Sequence, residues 1–489
     1  MPSTRWFTPG EAGVLTAVVI CAYVGVSGIT TLFALLSRLY REFDDPIGIG
    51  WAISCYYLVS AVGAAVFGRF GDLYGRRRMV LFVLPIAAIG ALVSAWSSSL
   101  ALIVFGCAVQ GVAGALTPLT LGIVRESLPQ ERVPTGVGIV MASLVAGGGL
   151  SFMVAGLIVD HYSWTGGFYL KVVLALPAFA ATLALVPDRR PAAQTTGMRM
   201  LAGVAFALPV AAMFVASGLA RSRGWGDPWV LVTLLVASVV LCAWVLHQLR
   251  EPVPLIDVRL LGQRRVLLAI LGLVILCLGC MQNGQVLSMF LQQPVETGTG
   301  FGLTATGSGL ALLALLSVAI VVGPMAGALA TRFGVRLVLM TAFASGVAGW
   351  TLAALFHGGL SLLLAVCALG SVCVAAGQTA SYSLLMEAAP EDRTSEIVGL
   401  ANILKSVFMG VGAQVVALLL TTSMVDFGNG RLPSEQAYVL AFGYIAIVSV
   451  IGVLVGYAVP RRARIGALHA VAPSPAAAVS PTVPSVNCP

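Results

Sequence analysis

Gly68-Arg69-Phe70-Gly71-Asp72-Leu73-Tyr74-Gly75-Arg76-Arg77-Arg78 is the stretch that decides the fold, because it returns later in the chain. The second copy is Gly327-Ala328-Leu329-Ala330-Thr331-Arg332-Phe333-Gly334-Val335-Arg336. Gly68 aligns with Gly327, Gly75 with Gly334 and Arg77 with Arg336, all 259 residues apart. A second pair repeats at nearly the same spacing: Pro129-Gln130-Glu131-Arg132 followed by Gly138, and Pro390-Glu391-Asp392-Arg393 followed by Gly399, 261 residues on. Two separated motifs with almost one offset mark an internal duplication.

Each copy lies among long apolar runs. Hydrophobic residues make up 59% of the 489 and charged residues 9%, with a mean hydropathy of +0.99. A soluble domain carries about 25% charged residues, so most of this surface must face lipid. A bilayer core of about 30 Å takes roughly 20 apolar residues per helix, and fourteen such runs can be marked. The expected fold is an all-α polytopic membrane protein. One six-helix bundle covers 12–186, two inserted helices cover 200–248 (200–220 and 228–248), and a second six-helix bundle covers 266–459. The Ala-, Pro-, Ser- and Val-rich end, 465–489, reads as a disordered cytoplasmic tail. Glu251–Arg265 mixes apolar and charged residues and reads as a segment along the membrane interface.

The net charge is +8, from 27 Lys and Arg against 19 Asp and Glu. A basic balance can mean nucleic acid, but these arginines sit in short loops between apolar runs, so no nucleic-acid partner is expected. With the N-terminus in the cytoplasm, twenty arginines fall on the cytoplasmic side and five on the outer side. That bias is the positive-inside pattern. It puts both termini in the cytoplasm and the chain, expected as a monomer, in the plasma membrane (the inner membrane of a bacterium). Eight of the nine cysteines lie within apolar runs. Cys277 and Cys280 are therefore read as packing thiols, with no disulfide framework implied. No basic, apolar and small-residue series that would mark a signal peptide is read at the N-terminus.

A nucleotide-driven pump needs G-x-x-x-x-G-K-[ST], and neither lysine, Lys171 or Lys405, stands in one. His161, His247, His357 and His469 are scattered, so a membrane enzyme, a metal centre and a cofactor are not expected. A transport-inactive sensor on the same scaffold is a further reading, and a long soluble signalling domain would have favoured it. Duplicated helix bundles are the usual build of secondary transporters, with the substrate site between the repeats near the midplane. The expected function is movement of a small amphiphilic molecule by alternating access. Efflux, with protons as a candidate coupling ion, is preferred over facilitated or differently coupled import.

At Gly68-x-x-x-Asp72-x-x-Gly75-Arg76-Arg77 the chain resembles the major facilitator superfamily, in the loop between its second and third helices. Trp51-x-x-x-x-Tyr56-x-Leu58, the two extra central helices, and Pro254-Leu255-Ile256-Asp257 followed by Arg259-Leu260-Leu261 resemble its fourteen-helix drug:proton antiporters. The resemblance covers the chain up to the tail. Three positions depart from features that the family links to antiport. The usual helix-four arginine is Cys107, the Gly-Pro of helix five is Ser151-Phe152, and the helix-one aspartate is Ser27.

Gly68 and Gly75 allow close backbone approach and a tight turn. Asp72 can pair with an arginine of its own or a neighbouring loop, so Gly68, Asp72, Gly75, Arg76 and Arg77 are candidates for a conformational latch. The alternative is that Arg76, Arg77 and Arg78 only anchor the loop inside. Helices one, four, nine and twelve line the cavity by resemblance. Gln110, Gln282, Asn283, Gln285, Gln378 and Tyr382 lie in the last three, and Asn402 lies one turn from Lys405. These seven are substrate-cavity candidates; the alternative is helix–helix hydrogen bonding. Lys405 is read as the deepest charge, on a helix face with Gly399, Asn402, Met409 and Gly412. A charge within a membrane span is a functional candidate by default. Lys405 is thus a coupling candidate, and so is Asp160 at the outer end of helix five.

Overall fold

A computed structural model gives the fold and describes residues 7–43, 45–129, 132–188, 226–250, 258–388, 394–427 and 430–460, with single positions at 209, 212 and 216. The helix expected at 200–220 and the tail from 465 lie outside these residues, apart from the three single positions.

Backbone N–H and C=O groups in hydrocarbon must be satisfied within the segment, so apolar runs of this length become helices. Thirteen helices among the described residues are long and apolar enough to cross a membrane. In order they are α1 (Pro9–Phe43), α2 (Pro46–Tyr74), α3 (Arg76–Trp96), α4 (Leu100–Ser127), α5 (Val133–His161) and α6 (Trp164–Leu185). Then comes α7 (Pro228–Arg250), which has most of its surface uncovered and packs on the core through Leu241, Trp244 and Val245. The second set is α8 (Arg264–Gln292), α9 (Ala305–Phe333), α10 (Val335–Leu355), α11 (Leu360–Ala388), α12 (Thr394–Leu420) and α13 (Glu435–Ala458). One element departs from the all-α expectation. Between α12 and α13, β1 (Met424–Phe427) and β2 (Gly430–Pro433) form an antiparallel hairpin with Val425 opposite Leu432.

The duplication is visible in the backbone. Gly75 has φ 100° and ψ 128°, and Gly334 has φ 89° and ψ 148°. Each ends one helix and starts the next, in a region that side-chain-bearing residues avoid. The two halves therefore make the same turn with the same residue, 259 positions apart.

Four of the helices that start at the opposite end from these turns begin on side-chain caps of Ser, Thr or Asp. Asp45 accepts the N–H groups of Ile47 and Gly48 at α2, Ser163 that of Thr165 at α6, Thr304 that of Gly307 at α9, and Ser434 that of Ala437 at α13. Such caps satisfy backbone donors that the first turn leaves free. Two helices are broken. α4 tightens to a 3-10 turn at Val112–Ala115, just before Pro118, which lacks an N–H to give. α8 tightens at Cys280–Gln282, after Gly279 leaves helical geometry (φ −110°, ψ −100°).

Candidate functional site

The two halves are joined by polar contacts at the capped end. Asp160, one residue from the end of α5, crosses to the first turn of α9. The Ala305 N–H donates to its Oδ1 at 3.0 Å and the Thr306 N–H to its Oδ2 at 2.8 Å. The carboxylate thus caps a helix of the other half, where the partial positive charge of a helix N-terminus favours an anion. Gly156 makes the approach possible, since a Cβ there would sit 2.5 Å from the Ala305 carbonyl oxygen. On the second seam, Ser54 of α2 donates to the Gly410 carbonyl at 3.0 Å and to Gln414 Oε1 at 3.2 Å, both on α12. Between the seams, Ser288 of α8 donates to the Phe33 carbonyl at 2.7 Å, and Gln292 to the Ala34 carbonyl at 3.4 Å. A cavity of about 390 Å³ opens above this seal, lined by Arg38, Arg41, Asp160, Gln292 and Glu296 among others.

At the arginine-rich end, the side chains that carry the repeated turn bind within the first half. Arg76 pairs with Glu126 of α4 at 3.1 Å, and Arg77 donates to the Leu183 carbonyl at the end of α6 at 2.7 Å. Arg78 pairs with Asp188 at 3.1 Å, and Arg132 with Glu11 of α1 at 2.6 Å. Gly68 packs beside Pro118 of α4. Asp72 falls in the last turn of α2, and its side chain lies outside the described residues.

The cavity candidates divide. Gln378, Tyr382, Asn402 and Lys405 come together between α11 and α12. Lys405 donates to Gln378 Oε1 at 3.4 Å, and the Tyr382 hydroxyl donates to Asn402 Oδ1 at 2.7 Å. All four are partly exposed. Gln282 and Gln285 are instead fully buried against α12. The Gln282 amide donates to the Cys277 carbonyl at 2.6 Å, replacing a helix bond lost at the α8 break, and to the Met409 carbonyl at 3.1 Å. The Gln285 amide donates to the Ala413 carbonyl at 3.3 Å. Asn283 is partly exposed beside the break. Gln110 is buried against α3, donating to Ser94 Oγ at 3.1 Å. Cys277 and Cys280 are free and buried.

Lys171 is the more buried of the two lysines: it is 1% exposed, whereas Lys405 is partly open. From α6 its ammonium reaches the Gln110 carbonyl of α4 at 3.3 Å and lies 5.1 Å from the centre of the Tyr56 ring. Gly28 of α1 gives it room, because a methyl there would collide with Nζ. Tyr56 is itself held by a hydrogen bond to the Gly25 carbonyl at 3.2 Å. Lys171 stands mid-run in an apolar helix, and that isolation was the signal that could have found it. The Ser54 bridge had no such signal, since one serine in an apolar run is ordinary.

Twinned helix bundles with a polar seal at one end define an integral membrane transporter. The chain belongs to the Major Facilitator Superfamily, whose family model matches residues 15–288. It is 26% identical over 424 residues to the tetracenomycin C resistance and export protein of Streptomyces glaucescens, covering 83% of this chain and 73% of that protein. It is 25% identical over 400 residues to the methyl viologen resistance protein SmvA of Salmonella typhimurium, covering 78% and 77%. It is 26% identical over 320 residues to the MFS-type transporter YhcA of Bacillus subtilis; that match spans 64% of this chain and only 58% of the relative. Among solved structures, the nucleoside transporter NupG aligns with a TM-score of 0.64 at 12% identity, covering 90% of this chain and 99% of that one. The xylose transporter XylE of E. coli aligns with a TM-score of 0.62 at 12% identity, covering 93% and 98%. At these identities the structural likeness speaks for the fold alone.

Proposed function

We propose that the chain exports a small amphiphilic molecule by alternating access, driven by an ion gradient. The observation that carries this reading is the Asp160 carboxylate, which bridges the halves by capping α9. With the arginine-rich loops in the cytoplasm, that bridge closes the outer face, and the conformation is one that loads from inside. Export then requires the outer seams to part. The bonds to be exchanged are those of Asp160, Ser54, Ser288 and Gln292. The printed names of two relatives, a resistance and export protein and a methyl viologen resistance protein, favour outward movement of a foreign compound.

In this reading Asp160 is also the coupling group. When the seal parts, Asp160 loses the two N–H groups that favour its charged form; a proton arriving from outside then neutralises the carboxylate and keeps the cap from reforming. Arg38, Arg41 and Glu296 line the same cavity as Asp160. At the other end, the turn around Gly75, with Asp72, Arg76 and Arg77, acts as the opposing latch. The two halves with the inserted pair of helices form the moving units.

The test is uptake of an amphiphile panel by inside-out reconstituted vesicles, with and without an imposed pH gradient. Gradient-stimulated accumulation is the expected result. Equal rates without the gradient would replace coupled export by facilitated passage, and no movement of any compound would remove the transport reading.

A further inference from the structure

The charges inside the described spans have one sign. Glu11, Glu42, Asp72, Glu126, Asp160, Glu387, Glu396 and Glu435 all lie within three residues of a helix end, and Asp45, Asp188, Asp227, Glu296 and Asp426 lie in connections or the hairpin. Lys171 is the eighth residue of α6 and Lys405 the twelfth of α12, one cation well inside each half. Neither has a carboxylate within ion-pair distance among the described residues; their acceptors are the Gln110 carbonyl and Gln378 Oε1. An ammonium withdrawn from water is costly unless it is paired.

In the cluster around Lys405, Gln378 Oε1 takes a Lys405 proton, and Asn402 Oδ1 takes the Tyr382 proton. An amide has two N–H donors beside its oxygen, and an ammonium has three donors and no acceptor. The larger share of what remains to offer is donors: two protons of Lys405, the only charged group of the four, with the Asn402 amide and the Gln378 amide. The site lies just below the seal. Gly410 of α12 takes the cross-half bond from Ser54, and Lys405 is five residues nearer the arginine-rich end, about 7.5 Å along the helix.

We propose that the transported molecule is an organic acid, an amphiphile with a carboxylate or sulfonate head that docks on Lys405, Asn402 and Gln378. This rests on the transporter reading above and names its substrate class. The bound anion supplies the countercharge that the protein withholds. A permanent cation finds a like charge there and, among the described residues, no carboxylate.

The test uses full-length protein in vesicles and three probes of one shape: 2-naphthoate, 2-naphthylmethyl-trimethylammonium and 2-naphthamide. Wild type should move the acid at least tenfold faster than the cation. Lys405→Met should abolish that preference while the neutral amide still moves, and Lys405→Arg should keep it. Asn402→Asp, which places a carboxylate beside Lys405 with little change of shape, should slow the acid at least tenfold and spare the amide. It keeps the test decisive if Lys405→Met does not fold. Equal movement of acid and cation by wild type, or an acid preference that survives both Lys405→Met and Asn402→Asp, overturns the inference and leaves the transporter reading standing. Failure of wild type to move any of the three overturns both.

Discussion

Replacing Asp160 by alanine removes both acceptors that hold α9 to α5. Loss of an N-cap side chain costs about 1 kcal/mol, within a range of about 0.5–2. Loss of a negative charge at a helix N-terminus costs about 0.3–1 kcal/mol more. Asp160 is only partly buried, so water takes over some of its role and the total falls to about 0.5–2 kcal/mol, a shift of about 2- to 30-fold in a two-state equilibrium. The closed form gains nothing elsewhere, so the shift favours opening of the capped end. Ser54 lies on the other seam, away from α5 and α9, and is fully buried. A cysteine at position 54 therefore reports whether the whole face opens and not merely whether the cap frays. With Cys55, Cys242 and Cys488 changed to serine, the rate at which an impermeant maleimide reaches Cys at 54 should rise in the Asp160→Ala background by that factor. Asp160→Asn keeps one acceptor without the charge and should fall between. Lowering the pH on the capped side should mimic Asp160→Asn in wild type and do nothing to Asp160→Ala. Labelling that is unchanged in Asp160→Ala would refute the view that this carboxylate holds the seal.

Reporter fusions after Leu249 should report cytoplasm and those after Gly226 the outer side, by alkaline phosphatase and fluorescent-protein activity; the reverse pattern would invert the membrane orientation. Asp72→Asn should slow transport strongly at normal insertion levels in the vesicle assay, and a normal rate would leave the loop an anchor. Gly75→Ala forces a methyl-bearing residue into φ 100° and should cost about 1–3 kcal/mol, read as a lower melting temperature; Gly334→Ala should match it if the duplicated turns are equivalent. Gly28→Ala drives a methyl into the Lys171 ammonium and should cost about 1–3 kcal/mol by overpacking, with Lys171→Met recovering melting temperature in the double variant.

Local signals carried most of the fold into the sequence. An apolar run long enough to span lipid has one way to satisfy its backbone, so α1 to α13 could be read from composition. The repeated turn could be read because glycine at Gly75 and Gly334 answers a φ requirement that few other residues meet. The cluster on α11 and α12 was legible in part for the same reason. Gln378 and Tyr382 stand four apart and Asn402 and Lys405 three apart, so each pair shares a helix face, although nothing in either stretch says that the two faces meet. The hairpin between α12 and α13 was missed because its strands are four residues each, too short for a period to register.

Position relative to the other half was not legible, and it decides what a polar residue does. Gln282 and Gln378 look alike as polar residues in apolar runs. Gln282 sits where α8 breaks and serves the Cys277 carbonyl left without its helix partner, so its amide is committed to the backbone. Gln378 lies in an unbroken turn and its oxygen is free to take Lys405. The two lysines diverge for a similar reason. The contacts of Lys171 come from residues 61, 115 and 143 positions earlier, Gln110, Tyr56 and Gly28, and together they close it away from water. Lys405 has one hydrogen-bond acceptor, 27 positions off, and stays partly open. Depth along a helix is a property of the run, while accessibility is a property of the helices around it. A cation meant to meet a ligand has to be deep in the first sense and open in the second, and among the described spans Lys405 alone meets both conditions.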